Sequence, residues 1–245
     1  MKALILAAGY ATRLYPLTKE YPKPLLKVGG RPIIDYIVEK LAPLKEVDEV
    51  IVVTNSKFIC KFRRWARDIK INKRVTLIDD LTKSQNKKRG AIGDMDFAIK
   101  KERFKDELLV IGGDNLFDGN LQDFLSFAKA RRAHPVIGAY NMKEKKRARN
   151  YGVVKIDRNN RVVDFKEKPA RPSSSLVAMC LYYFPKDKLK LVAEYLNAKA
   201  NKRDAIGFYI SWLIKKEPVY AFLFGGRWYD IGHYQFYYAA KQAFK

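Results

Sequence analysis

The chain has 245 residues, 48% of them hydrophobic, which is enough for one sizeable α/β domain with a real core or at most two small domains. Lys and Arg number 49 against 26 Asp and Glu, a net charge of +23 that invites an anionic partner: nucleic acid, an acidic membrane or a phosphorylated metabolite. Only Cys60 and Cys180 are present, far apart and without a CxxC pair, which argues against a disulfide framework and a thiolate metal site and fits a reducing cytosol.

Ala3 to Ala8 is too short for a signal-peptide core, and no long apolar span predicts a membrane crossing, so a cytoplasmic protein is expected. Ala3 to Ala7 reads as a buried first strand. Glu49 to Thr54, Val75 to Asp79, Leu108 to Gly112 and Pro135 to Tyr140 read as further strands, with amphipathic helices over Pro32 to Leu41, Lys57 to Ile69 and Ile92 to Lys101. Strand then helix, repeated, predicts an α/β fold, a mostly parallel sheet flanked by helices.

After about Tyr140 the rhythm changes. Gly152 to Ile156 and Arg161 to Phe165 flank Asp157-Arg158-Asn159-Asn160, a hairpin turn, and Leu176 to Phe184 makes another strand. Helices are expected near Lys186 to Leu196, Asp204 to Lys216 and His233 to Phe244, with a strand over Val219 to Phe224. No repeat or linker forces a domain cut. The expectation is a single domain over 1–245, with a nucleotide-binding half to about 140 and an antiparallel substrate-binding half from about 141.

Leu6-Ala7-Ala8-Gly9-Tyr10-Ala11-Thr12-Arg13-Leu14 follows the first strand and runs on to Pro22-Lys23-Pro24. Small residues at Ala7, Ala8, Gly9 and Ala11 let backbone N–H groups approach a polyphosphate, Arg13 supplies a planar donor fork and Lys23 a mobile cation. The segment matches neither a P-loop nor GxGxxG. At Gly112-Gly113-Asp114-Asn115 a carboxylate stands at the end of a buried strand, well placed for a hard cation such as Mg²⁺. Glu167-Lys168 pairs an acceptor for hydroxyls with a cation for phosphate, and Trp228-Tyr229-Asp230-Ile231-Gly232 offers a second distant carboxylate.

In their order these segments resemble the nucleotidyltransferases that activate sugars, especially glucose-1-phosphate thymidylyl- and uridylyltransferases, whose pattern is LAxGxGTRLxPxTxxxPKxL. The resemblance runs along nearly the whole chain. It implies a Rossmann-like nucleotidyltransferase fold and transfer of a nucleoside monophosphate from dTTP or UTP to a sugar 1-phosphate, glucose 1-phosphate first, with pyrophosphate released. It also implies roles: Leu6, Ala7, Ala8, Gly9, Ala11, Thr12, Arg13, Lys23 and Gly90 at the nucleotide, with Arg13 and Lys23 catalytic. Asp114 and Asp230 fall to Mg²⁺, and Asn115, Gly152, Glu167, Lys168 and Ala178 to the sugar phosphate.

Two departures stand out. Ala11 replaces a second glycine, so that position is expected to avoid positive φ. Gly90-Ala91-Ile92-Gly93-Asp94 falls where thymidylyltransferases close over the base, without their usual Gln-bearing sequence, and Thr82 to Arg89 is left open between a loop near the triphosphate and a surface loop. His134 and His233 lie in no catalytic or metal spacing and are expected to be structural or surface residues. The alternatives are a cytidylyl- or guanylyltransferase on another phosphorylated acceptor, or a non-catalytic sugar-nucleotide-binding subunit. The dispersed positive charge argues against a nucleic-acid partner, and self-association is left open.

Overall fold

The alternation of short apolar runs with amphipathic segments folds into a layered structure, described for residues 1–131, 133–198 and 201–244 of this computed structural model. β1 (Lys2–Leu6) starts and stops one residue earlier than its apolar run suggests. Ala7 still donates to the Val53 carbonyl at 2.8 Å before the chain turns away. A two-residue hairpin, β2 (Lys27–Val28) and β3 (Arg31–Pro32), turns through Gly29 and Gly30 at φ 56° and 80°. α1 (Ile33–Leu41) buries the predicted face of Ile33, Ile34, Ile37, Val38 and Leu41.

The next units are β4 (Glu49–Thr54), α2 (Ile59–Asp68), β5 (Arg74–Asp79), α3 (Ala91–Lys101) and β6 (Leu108–Gly112). β6, β1, β4 and β5 lie side by side and parallel, in that order. β1, β4 and β6 are largely buried on both faces because helices cover both, whereas the edge strand β5 is mostly half-buried. Ala3, Ile5, Val50 and Val52 face α1 and α2, while Leu4, Ile51 and Val53 face α3. Each such side chain removed from water contributes roughly 1.5–3 kcal/mol.

Asn115–Phe117 forms a short strand, β7. It pairs with a segment more than 100 residues later, a partner no local pattern discloses. α4 (Leu121–Ala130) follows, capped by Asn120, whose side chain accepts from the Gln122 N–H at 2.8 Å. β8 (Val136–Asn141), α5 (Lys145–Ala148), β9 (Gly152–Ile156) and β10 (Val162–Glu167) lead into the antiparallel part. The turn between β9 and β10 is held by Asp157, whose Oδ1 accepts from the N–H groups of Asn159 and Arg161, both at 2.9 Å.

β11 (Leu176–Phe184) joins the two parts, pairing antiparallel with β6, β8 and β9. It is bulged between Ala178 and Tyr182. α6 (Lys190–Asn197), α7 (Ile206–Leu213), β12 (Tyr220–Phe224), β13 (Trp228–Asp230) and α8 (Tyr234–Ala243) complete the order. β12 lies parallel to β8, and β13 is the partner of β7. No helix among the described residues is long and apolar enough to cross a membrane.

Candidate active site

β1, β4, β5 and β6 end along one edge of the sheet, and the crevice beyond those carboxyl ends is where such a fold places ligands. The loop after β1 borders it. Ala7 and Ala8 are buried, their carbonyls accepting from Thr54 Oγ1 at 3.3 Å and Asn55 Nδ2 at 2.9 Å at the end of β4. Gly9, Thr12 and Arg13 are exposed, and Leu6 is half-buried at the strand end.

Ala11 corrects the expectation that its Cβ would keep φ negative: φ is 48° and ψ 42°, a left-handed residue ahead of the turn Thr12–Leu14. The turn demands it, because the Ala11 carbonyl must accept from the Leu14 N–H (2.9 Å) and from Thr18 Oγ1 (2.7 Å). The Cβ strain, of order 1–2 kcal/mol, is borne by those bonds.

Lys23 begins a single helical turn between Pro22 and Leu26, and its ammonium is bonded to the Asp114 carboxylate. Burial presses Lys23 toward its neutral form, but Asp114 and then Asp230 more than offset this and hold its pKa above the usual lysine value. Burial likewise opposes the charge on Asp114, and Lys23 wins there too, keeping that carboxyl below its usual range. Asp230, delivered by β13 opposite Asn115 on β7, is pushed up to about 7, by burial first and then by Asp114.

The β7–β13 ribbon thus brings two abutting, half-buried carboxyls to one point, Asp230 from β13 and Asp114 from just ahead of β7. Hard oxygen donors in contact, with the nearest cation a lysine, fit a divalent hard cation. No cluster of three or more His, Cys, Asp or Glu side chains among the described residues is placed to hold a metal ion, so the remaining ligands would have to come from substrate phosphates and water.

A cavity of about 410 Å³ opens beside these groups, and Arg13, Asp114, Asn115, Gly152, Glu167, Lys168, Ala178 and Asp230 all line it. Burial raises the Glu167 pKa, with Lys168, 3.7 Å away, opposing the rise. Gly207 on α7 leaves room for that carboxylate, because a Cβ there would overlap Glu167 Oε2. Lys168 and Cys180 are left-handed, at φ 47° and 53°. With Ala11 they place three strained non-glycine residues on one crevice.

Asn115, a sugar-phosphate contact by resemblance, lines the cavity and also ties the fold together there. It is 1% exposed, its Nδ2 donates to the Met179 and Cys180 carbonyls on the β11 bulge, and its Oδ1 accepts from Trp228 Nε1 at 2.9 Å. Its amide is engaged in tying the carboxylate ribbon to the bulge. Tyr140 and Tyr151 pack on Trp228, with ring centroids 5.5 and 5.2 Å away.

Arg149, the bulge at Met179–Cys180, Gly207 and His233 also line the cavity and were not read from sequence as site residues. His233, expected to be a structural or surface residue, is exposed on its rim. The bulge has no local sequence signal, and neither does its left-handed cysteine. The Cys180 thiol is held protonated by burial and by Asp114.

Gly90 caps α3 at φ 78°, buried against the backbone of Arg203, where a Cβ would collide. Its glycine requirement is therefore met by internal packing. Thr82 is buried at the crevice, with Tyr10 Oη 3.4 Å from its Oγ1, whereas Lys83, Ser84 and 86–88 are exposed. A larger groove of about 750 Å³ lies elsewhere, between α1 and α2, and contains none of these groups.

A family model described as nucleotidyl transferase matches residues 2–245, and the chain belongs to that family. Bifunctional protein GlmU of Methanocaldococcus jannaschii is 32% identical over 234 residues, covering 95% of this chain and 51% of its own length. The GlmU of Methanococcus aeolicus is 30% identical with the same coverage, so the chain spans about half the length of the curated relatives it matches. In fold it is similar to a putative glucose-1-phosphate thymidylyltransferase of Bacillus anthracis, with a TM-score of 0.81 at 23% identity over 100% of this chain and 95% of that one. It is also similar to a UDP-glucose pyrophosphorylase complexed with UDP-glucose, with a TM-score of 0.84 at 20% identity over 99% and 97%.

Proposed function

We propose that the chain transfers a nucleoside monophosphate from a nucleoside triphosphate to a sugar 1-phosphate, releasing pyrophosphate. The observation that carries this reading is the meeting of Arg13, Lys23, Asp114, Asp230, Glu167 and Lys168 around one crevice. Cations for phosphates, paired carboxyls for a metal, and a Glu–Lys pair for an acceptor with hydroxyls and a phosphate are the parts this reaction needs.

A phosphate oxygen of the sugar 1-phosphate attacks the α-phosphorus of the triphosphate. The new P–O bond forms as the bond to the bridging oxygen breaks, and pyrophosphate takes the electron pair. The attacking oxygen is already anionic, so no enzyme nucleophile is required, and the protonated Cys180 is no candidate for one. What the chain supplies is position and charge. Arg13 neutralises the departing β- and γ-phosphates, Lys23 the α-phosphate, and Lys168 the acceptor phosphate, while Glu167 accepts from sugar hydroxyls. Asp114 and Asp230 would hold Mg²⁺, which when bound supplies further charge neutralisation at the phosphates.

UTP or dTTP with glucose 1-phosphate is the first pair to test, supported by the likeness to the putative glucose-1-phosphate thymidylyltransferase and the UDP-glucose pyrophosphorylase. The test measures pyrophosphate release with Mg²⁺ across UTP, dTTP, CTP and GTP against glucose, mannose and N-acetylglucosamine 1-phosphates. Release with one such pair is expected. Tight nucleotide binding with no release from any pair would sink the reading in favour of a binding subunit.

A further inference from the structure

A second carboxyl pair lies at the opposite end of the crevice. Asp80, just after β5, is 1% exposed, and Asp94, in the first turn of α3, is 6% exposed. The two carboxyls are neighbours, each acting on the charge of the other. Asp80 Oδ1 accepts from the Thr82 N–H at 2.7 Å and Oδ2 from Thr82 Oγ1 at 2.9 Å, whereas Asp94 Oδ1 has no partner.

Among the described residues no cation is bonded to either carboxyl. Arg89 donates through Nε to the Asp80 carbonyl at 2.7 Å and lies over Phe97, 4.1 Å from its centroid. Lys88 is paired with Asp204 at 2.7 Å. The other titratable groups facing the pair are the Tyr10 phenol and Asp79, which accepts from Ser56 and from the Leu81 N–H. Two abutting carboxyls shut away from water cannot both ionise. Burial and then Asp80 push the Asp94 carboxyl up to about 8.

The place of this pair follows from the two sides of the Gly9–Lys23 loop. The acceptor cavity occupies the side of β9 and β11. The other side is closed by Tyr10, Thr82 and the segment running to Gly90, built on the ends of β4 and β5, where the Ser56 N–H donates to the Thr82 carbonyl at 2.9 Å. A triphosphate held by the loop, with its acceptor on the first side, has this second side for its nucleoside.

We propose that Asp80 and Asp94 hold one proton between them beneath the nucleoside, Asp94 being a positioning residue that fixes Asp80, Thr82 and Tyr10 for nucleotide binding. This rests on the function proposed above. Loss of the proton sets two buried carboxylates against each other, loosening the Thr82 turn and adding a negative charge on the nucleotide's side. Both effects weaken nucleotide binding without touching Lys23 or Asp114.

The test is calorimetric binding, without acceptor, of UTP, dTTP, CTP and GTP and of inorganic tripolyphosphate, each with Mg²⁺, between pH 6.5 and 9.5. The proteins are the wild type, Asp94→Asn and Thr82→Val, each checked for folding by circular dichroism. The tightest nucleotide should lose affinity above about pH 8 in the wild type, by up to tenfold per pH unit for one linked proton. Tripolyphosphate, which reaches only the loop, should show no such break. Asp94→Asn, which keeps a donor and cannot ionise, should remove the break, and Thr82→Val should weaken nucleotides but not tripolyphosphate. A wild type without the break, a break shared by tripolyphosphate, or a break surviving in Asp94→Asn overturns the proposal. Failure of transfer to every sugar 1-phosphate would sink the function proposed above and leave this binding test intact.

Discussion

Two pairs of aspartates flank one crevice and are held in opposite ways. Asp114 and Asp230 meet beside Lys23, and the lysine holds Asp114 ionised, while Asp230 is raised to about 7. Asp80 and Asp94 meet with only hydroxyl and amide donors bonded to them, and both carboxyls are raised. Burial is the largest influence on all four, so burial does not distinguish them. The bonded ammonium does: beside it one carboxyl of the pair is held ionised, and without it both are raised.

The largest effect should come from breaking the first pair. Asp114→Asn, and separately Arg13→Ala, should lower pyrophosphate release by about 10²-fold or more, read at saturating substrate, with circular dichroism showing the fold retained. Lys23→Met takes the comparison further, because it makes the first pair resemble the second. Turnover should fall by a similar factor and Asp114 should titrate above its wild-type pKa, observable by carboxyl NMR. An Asp114 that stays low without Lys23 would show that the comparison rests on something else.

Asn115→Ala should destabilise by about 1–3 kcal/mol in urea unfolding, since it leaves Trp228 Nε1 and the β11 bulge carbonyls without their partner. Its activity loss should exceed what the stability loss explains, because the ribbon carrying Asp114 and Asp230 is no longer tied to the acceptor wall.

The second pair makes a prediction about stability and pH. Asp94 titrates near 8 in the folded state and near 3.8 when unfolded, so the folded chain holds the proton more tightly. Its contribution is fully present below about pH 4, falls as pH rises toward 8, by up to about 1.4 kcal/mol per unit, and is constant above. Asp94→Asn should flatten that decline in denaturant melts across pH 4 to 9; an unchanged slope would count against the shared proton. The smallest effect is expected at Ala11→Gly, a gain of at most about 1 kcal/mol from relieving a left-handed alanine, checked by the thermal midpoint.

Much of the fold and the approximate position of the site were legible in residue order. Short apolar runs and amphipathic faces are local properties, so β1, β4, β5, β6, α1, α2 and α3 could be placed within one or two residues. That Arg13, Lys23, Asp114, Glu167, Lys168 and Asp230 come together at one crevice was foreshadowed by the order of their segments, which resembles that of the sugar-activating nucleotidyltransferases. β7, β13 and the bulge in β11 were not, since their partners lie far along the chain.

By itself, then, the sequence determined the alternation of elements and the supply of phosphate-seeking and carboxylate groups at strand ends, because those depend on neighbours within a few residues. Tertiary structure alone decided which groups meet. It put Lys23 on Asp114 and left Asp80 and Asp94 to face each other, engaged the Asn115 amide in holding Trp228, and set Ala11 left-handed to satisfy Thr18 and Leu14. The physical reason is that a side chain's charge and hydrogen bonds are settled by what burial brings beside it, and burial is a property of the whole chain.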